Sequence, residues 1–179
     1  CVAASLTKGD LIINNFDPYL IKTELDILKK IGSKIRLSKN KIHIKGPQKI
    51  KNIKNIITKE YGGFPTDLAP QMMVLLCKAN GTSFITENIF QGRFLHVMEL
   101  QRLGANITIK DNTAKIIGNT NFMAAEVMSS DLRASAALIL AGIVSKGNTI
   151  VSRIYHCDRG YENFENKLKK IGVKIKRLK

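Results

Sequence analysis

The 179-residue sequence predicts an α/β fold in which three similar units surround buried central helices. Three observations carry this. The stretch from Ser129 to Gly147 bears no charge between Arg133 and Lys146 and is apolar or small on every side, so a helix there has to be buried all round. Glycines that end helical patterns recur in pairs, Gly9 with Gly32, Gly81 with Gly104 and Gly147 with Gly172, spaced 23, 23 and 25 positions apart. Between them, short segments alternate apolar and polar residues in the manner of half-buried strands.

In chain order, the first ten residues read as the tail of a helix that begins before the chain does, and Leu11 to Asn14 as a short strand. Asp17 to Ile31 places Leu20, Ile21, Leu25, Leu28 and Ile31 on one helical face, with Gly32 as the stop. Lys34 to Leu37 and Lys41 to Lys45 alternate around Ser38-Lys39-Asn40 and read as a hairpin. Gly46 to Phe64 is a Lys-rich connector with a short helix expected over Ile50 to Lys59. The order then returns: an apolar helix from Leu68 to Ala79, a strand from Ser83 to Glu87, a helix from about Phe94 to Leu103, and Ile107 to Ile109 paired with Ala114 to Ile117. It returns again as the central helix, capped by Ser130 or Asp131, a strand from Thr149 to Ser152, a helix from about Tyr161 to Ile171, and a last strand from Val173 to Arg177. The expected organisation is one domain over 1–179 with units at about 1–46, 64–118 and 129–179, the first of them truncated.

A net charge of +15 raises the question of an anionic partner, but 22 of the 29 basic residues are Lys scattered with Ile and Asn over surface-like segments. With no Trp and 6% aromatics, the chain lacks the stacking residues of a nucleic-acid platform. A basic nucleic-acid module remains the alternative class, with Lys49, Lys51 and Lys54 as its cluster. No apolar run approaches the roughly 20 residues of a membrane span. Cys1, Cys77 and Cys157 form no CxxC pair, which fits a reducing, cytoplasmic setting. His43, His96 and His156 have no metal-ligand spacing and no metal is expected. Cys77 is a core residue by default, and Cys157, between His156 and Asp158 and beside Arg159, is not expected to have a special role although that setting could lower a thiol pKa.

When the second and third units are aligned, Asp67 falls opposite Asp131 and Arg93 opposite Arg159, all at junctions between loops and helices. Arg is scarce, seven residues in all, yet Arg93, Arg133 and Arg159 gather at what should be one end of the fold. Their planar donor sets suit carboxylates and phosphates, and the helix N-termini there add positive dipole ends.

Four ordered blocks carry a resemblance: Phe-Pro-Thr-Asp-Leu at 64–68, Thr-Glu-Asn-Ile-Phe-Gln-Gly-Arg-Phe-Leu-His-Val-Met-Glu-Leu at 86–100, Asp-Leu-Arg-Ala-Ser-Ala-Ala-Leu at 131–138, and Asp-Arg-Gly-Tyr-Glu at 158–162. Together they resemble the C-terminal part of the UDP-N-acetylglucosamine 1-carboxyvinyltransferases, the enolpyruvyl transferases that begin peptidoglycan synthesis. The resemblance implies one domain of an inside-out α/β barrel with pseudo-threefold repeats. It implies UDP-N-acetylglucosamine and phosphoenolpyruvate as substrates and no cofactor. Carried over by motif, Asp67 contacts the sugar hydroxyl and acts as base, Ile89 contacts the UDP-sugar through its backbone, and Asp131 sits beside the reacting centre. Arg93, Arg133 and Arg159 hold the carboxylate and phosphate of phosphoenolpyruvate, with Asp67, Asp131 and Arg159 as the catalytic set. The family's catalytic cysteine and further basic residues lie in the other domain, and none of the three cysteines here occupies that motif. The expectation is therefore a fragment with half an active site, inactive without the N-terminal portion of the same enzyme. The shikimate-pathway relative, with the same fold and the same phosphoenolpyruvate substrate, is the alternative within enzymes.

Overall fold

The computed structural model describes residues 1–178; Lys179, the last residue of the third unit read from the sequence, lies outside the described residues. Helix α1 (Val2–Leu6) leads into strand β1 (Asp10–Asn14). A 3-10 turn at Pro18–Ile21, capped by Asp17, precedes α2 (Lys22–Lys30). Proline at the first position of that turn has the φ a helix start needs and lacks only an N–H that would be unpaired there. Strands β2 (Lys34–Ser38) and β3 (Lys41–Lys45) form the hairpin read from the alternation, and β1 adds antiparallel to β3, with Leu11 opposite Ile44 and Ile13 opposite Ile42. Of the expected apolar stripe Leu25, Leu28 and Ile31 are nearly inaccessible, as are Ile42 and Ile44 of the sheet, whereas Leu20, in the 3-10 turn before α2, is 66% exposed.

The second unit contains β4 (Ile56–Ile57), a 3-10 turn at Thr66–Leu68, α3 (Ala69–Cys77), β5 (Thr82–Thr86), α4 (His96–Arg102) and the hairpin β6 (Asn106–Lys110) and β7 (Thr113–Ile117). The sheet order is β4-β5-β7-β6, with β4 parallel to β5 and the other pairs antiparallel. Every residue of α3 is buried, and the helix lies against both α1 and α5 (Leu132–Ile143). In the third unit β8 (Glu126–Met128) precedes α5, and β9 (Ile150–Ser152), α6 (Tyr155–Asp158) and α7 (Phe164–Lys170) follow it. Strands β8 and β9 pair in parallel, so α3 and α5 each form the crossover of a βαβ unit.

Two glycines show how closely these units are built. Gly46 donates its N–H to the Gly9 carbonyl at 2.8 Å, and Gly118 does the same to Gly81 at 2.9 Å. A Cβ would lie 2.2 Å from the Ala4 oxygen at Gly46 and 2.0 Å from the Ala79 oxygen at Gly118, so the chain leaving each hairpin passes the buried helix segment with no room for a side chain.

Two expectations are corrected. Residues 50–59 form no helix: Lys51 bridges Asn80, Ile53 donates its N–H to the Ser83 hydroxyl at 3.2 Å, and Ile56–Ile57 extends the edge of β5. Ile and Asn are mediocre helix formers, and the open edge of β5 offers this segment a backbone ladder. Val173 to Arg177 forms no strand. Val173 and Ile175 instead pack on a small cluster of Ile139, Cys157 and Leu168, so the segment is held by side-chain burial rather than by a backbone ladder.

Candidate active site

The chain turns that precede α3, α4 and α5 converge at one end of the fold. Asp131 has an extended backbone and caps α5, its carboxylate accepting the N–H of Arg133 at 2.8 Å and of Ala134 at 3.1 Å. Asp67, its counterpart in the second unit, caps nothing. It sits in the 3-10 turn before α3, where the Ala69 N–H is taken by the Thr66 carbonyl and residue 70 is proline. The two amides that a carboxylate at this place would accept are thus engaged or missing. Asp67 turns outward instead, and its Oδ1 accepts from Arg133 Nε at 2.5 Å and Arg93 Nη1 at 3.1 Å.

Both arginines are held from behind. Arg93 Nη1 also donates to the Thr66 hydroxyl at 3.1 Å, and its guanidinium lies over the Phe90 ring at 3.8 Å. Arg133, on the first turn of α5, has Asp131 at 3.8 Å as a second carboxylate. Thr66, Pro70, Arg93, His96, Asp131 and Arg133 line one cleft, with Asp67 bonded to both arginines at its rim. Burial opposes ionisation of Asp67, but the hydrogen bonds and charges of Arg133 and Arg93 outweigh it and hold the carboxyl below the ordinary range. Burial likewise opposes ionisation of Asp131, and the Ala134 and Arg133 amides reverse the direction. His96 is buried, with Nε2 on the Met73 sulfur at 3.2 Å, and desolvation pushes its pKa down to about 4 against the pull of the Asp131 charge. It is a neutral wall of the cleft at physiological pH.

The remaining candidates stand apart from the arginine pair. Arg159 ends α6, is exposed, and has no ion-pair partner among the described residues. Its neighbour Gly160 is pressed on the start of α5, where a Cβ would lie 2.8 Å from Leu132 Cδ2, and Tyr161 accepts from Gln71 Nε2 at 3.2 Å. The 159–161 loop therefore flanks the same helix terminus without entering the Asp67 cluster. Ile89 donates its N–H to Glu87 at 2.8 Å, and its carbonyl accepts no hydrogen bond among the described residues. Cys157 is not activated: burial and the Asp158 charge push the thiol up to about 11. Burial pushes Cys77 up to about 12. Among the described residues no group of three His, Cys, Asp or Glu could hold a metal ion, and no helix is long and apolar enough to cross a membrane.

Sequence reading missed Glu87. It is buried, and its carboxylate accepts from the Thr66 and Thr58 hydroxyls and from the Ile89 and Phe90 amides. The available signal was an acid directly after a strand whose next residues run into Arg93.

The chain is 60% identical over 177 residues to the UDP-N-acetylglucosamine 1-carboxyvinyltransferase of Pelagibacter ubique, covering 99% of this chain and 42% of that protein. It is 48% identical to the Helicobacter pylori protein of the same name, covering 100% and 42% respectively. The chain thus spans 42% of the length of these curated relatives. Among solved structures, the enolpyruvyl transferase NikO from Streptomyces tendae superposes with a TM-score of 0.87 at 24% identity, covering 98% of this chain and 42% of that one. The EPSP synthase of Acinetobacter baumannii superposes with a TM-score of 0.78 at 20% identity, covering 99% and 45%. At these identities the superpositions establish the fold, one domain of the enolpyruvyl transferase type. The model of the EPSP synthase (3-phosphoshikimate 1-carboxyvinyltransferase) family matches residues 1–168, and the chain belongs to that family of carboxyvinyl transferases.

Proposed function

We propose that this chain forms one wall of the active site of an enzyme that transfers the enolpyruvyl group of phosphoenolpyruvate to the 3-hydroxyl of UDP-N-acetylglucosamine, with release of phosphate. The observation that carries the reading is the Asp67 carboxylate held between Arg93 and Arg133 at the mouth of α5. The reaction needs the same groups: a base for the hydroxyl proton, and fixed cations for a substrate that carries both a carboxylate and a phosphate. The UDP-sugar, rather than shikimate 3-phosphate, is favoured as acceptor by the 48–60% identity to proteins named for it.

In this reading phosphoenolpyruvate binds to Arg93 and Arg133, with Arg159 brought in from the flanking loop, and so competes with Asp67 for the guanidinium groups. An Asp67 bonded to two arginines is a poor base. Once the substrate anion engages those donors, the carboxylate regains proton affinity and takes the sugar hydroxyl proton as the oxygen attacks. Asp131 stays ionised on its amides and fixes the Arg133 end of the site, and the Ile89 carbonyl faces the UDP-sugar. The remaining donors come from the rest of the enzyme's length, which is the chain's proposed partner. The work is assigned to the cytoplasm and to peptidoglycan synthesis, where a chain with free thiols and a nucleotide-sugar substrate fits.

The test is phosphate release from phosphoenolpyruvate and UDP-N-acetylglucosamine by this chain, alone and after addition of the separately produced remainder of the enzyme. Release only in the mixture is expected. Release with shikimate 3-phosphate but not with the UDP-sugar would transfer the assignment to the other acceptor, and no release by a mixture shown to associate would remove the enzyme reading.

A further inference from the structure

Glu87 is a buried carboxylate for which the proposed reaction has no use. It follows β5 and is anchored by its own N–H, which donates to the Asn112 carbonyl at 2.8 Å. Its Oε1 accepts from the Thr58 hydroxyl at 2.8 Å, the Ile89 amide at 2.8 Å and the Phe90 amide at 3.1 Å, and its Oε2 accepts from the Thr66 hydroxyl at 2.6 Å. No basic side chain pairs with it among the described residues. A buried charge without an ionic partner is costly unless hydrogen bonds replace its water, and here four donors do so.

The arrangement has a direction. A threonine hydroxyl has one proton, and those of Thr58 and Thr66 both point at Glu87. The oxygen of Thr66 is therefore left as an acceptor for Arg93 Nη1 at 3.1 Å, and that of Thr58 for the Asn88 amide at 2.8 Å. The same carboxylate holds the Phe90 amide, and the Phe90 ring underlies the Arg93 guanidinium at 3.8 Å. Two of the three contacts that fix Arg93, those to Thr66 and Phe90, thus lead back to Glu87. Its Nη1 protons are directed to Thr66 and Asp67, so the edge formed by Nε and Nη2 is the one left for a ligand. That edge is the bidentate fork that matches a carboxylate or phosphate.

We propose that Glu87 is a positioning residue that acts through Thr66 and Phe90 to aim the Nε and Nη2 edge of Arg93 at an oxyanion of the phosphoenolpyruvate type. This deepens the proposed function and rests on it for the identity of the ligand, not for the coupling of Glu87 to Arg93. Glu87→Gln keeps the shape and removes the charge. Whichever way the amide is turned, its NH2 meets either the Thr66 hydroxyl or the Thr58, Ile89 and Phe90 donors. If it meets Thr66, the hydroxyl has to reverse and present its proton to Arg93, donor against donor.

In the complete enzyme, Glu87→Gln is expected to raise the KM for phosphoenolpyruvate about tenfold, with a smaller change for the UDP-sugar. Thr66→Val should do the same, and Thr66→Ser, which keeps the hydroxyl, should restore the wild-type value. In an Arg93→Lys background the Glu87→Gln effect should shrink to within about twofold, because the group it acts through is gone. In this chain alone, the side-chain nitrogen resonances of Arg93 should shift in Glu87→Gln while those of Arg133 stay in place. Equal effects with and without Arg93, or arginine resonances that move together or not at all, would overturn the proposal. If the wild-type enzyme failed to use phosphoenolpyruvate, the proposed function would fall, and the arginine resonances would still decide the role of Glu87.

Discussion

Replacing Asp67 by Asn should strengthen anion binding and weaken catalysis at the same time. The carboxylate of Asp67 occupies donors on Arg93 and Arg133 that an anionic substrate needs, at 3.1 Å and 2.5 Å. Its side chain is 69% exposed while those of Arg93 and Arg133 are 24% and 29% exposed, so each pair is screened and contributes no more than about 1 kcal/mol. Releasing two such contacts lowers the barrier to displacement by one to two kcal/mol, or roughly tenfold in the dissociation constant for inorganic phosphate. The fold should be nearly unaffected, since Arg93 keeps Thr66 and Phe90 and Arg133 keeps Asp131. Turnover in the complete enzyme should fall by about 10²–10⁴ through loss of the base. Titration calorimetry with phosphate on this chain and steady-state kinetics on the complete enzyme supply the two readouts. Phosphate affinity equal to or weaker than wild type would show that Asp67 does not occupy the anion site, and unchanged turnover would remove it from the role of base.

Acidification should destabilise the chain before its carboxylates titrate. His96 has its folded-state pKa depressed from 6.5 to about 4, so the unfolded state takes up its proton first and stability present above pH 6.5 is lost as the pH falls; the loss by pH 4 is about 3 kcal/mol, and a His96→Gln variant should show a flatter profile over that range in denaturant titrations. Asp67, Asp131 and Glu87 all have depressed pKa values, so their contribution is retained above the ordinary carboxylate range and lost below it. Gly118→Ala should cost about 3 kcal/mol or more, because its Cβ would meet the Ala79 carbonyl at 2.0 Å; a thermal melt within a few degrees of wild type would contradict that packing. Arg159→Lys in the complete enzyme should raise the KM for phosphoenolpyruvate despite the preserved charge, because the planar fork is lost, whereas kinetics equal to wild type would leave Arg159 outside the site.

Periodicity made α2 and both hairpins legible in the sequence through one buried face, and an all-round apolar composition did so for α3 and α5, which have no exposed face over Ala69–Cys77 and 134–141. The segment 50–59 is not legible, because whether Ile56–Ile57 is extended depends on its pairing with Ile85 and Thr86 of β5, each 29 positions along the chain. At the site, Asp67, Arg93 and Arg133 could be grouped because the repeat puts them at equivalent junctions, and the structure joins them. Arg159 was placed with them by the same argument, yet its α6 junction holds it at the flank, for α6 is a short helix that the alternating pattern did not announce. Glu87 escaped notice because its significance is entirely in its partners, Thr58 and Thr66, which come from two other segments.

The pair Asp67 and Asp131 shows how a repeat gives rise to an asymmetric site. Equivalent aspartates before equivalent buried helices would both be caps if the helices began alike, and a capping carboxylate has little freedom to meet a ligand. Helix α5 begins with Leu132-Arg133-Ala134 and offers the two amides that hold Asp131. Helix α3 begins after Leu68 with Ala69-Pro70, and Pro70 occupies the place of Ala134 with no N–H to give. The preceding 3-10 turn consumes the Ala69 amide as well. Deprived of both donors, Asp67 bonds only to the arginines, and in the proposed function it is this aspartate, not the capped one, that exchanges partners when the substrate anion binds. The role proposed for Asp67 thus depends on a proline three residues along the chain, and the positions that differ between the repeats, rather than those they share, separate a capping acid from one bonded to arginines.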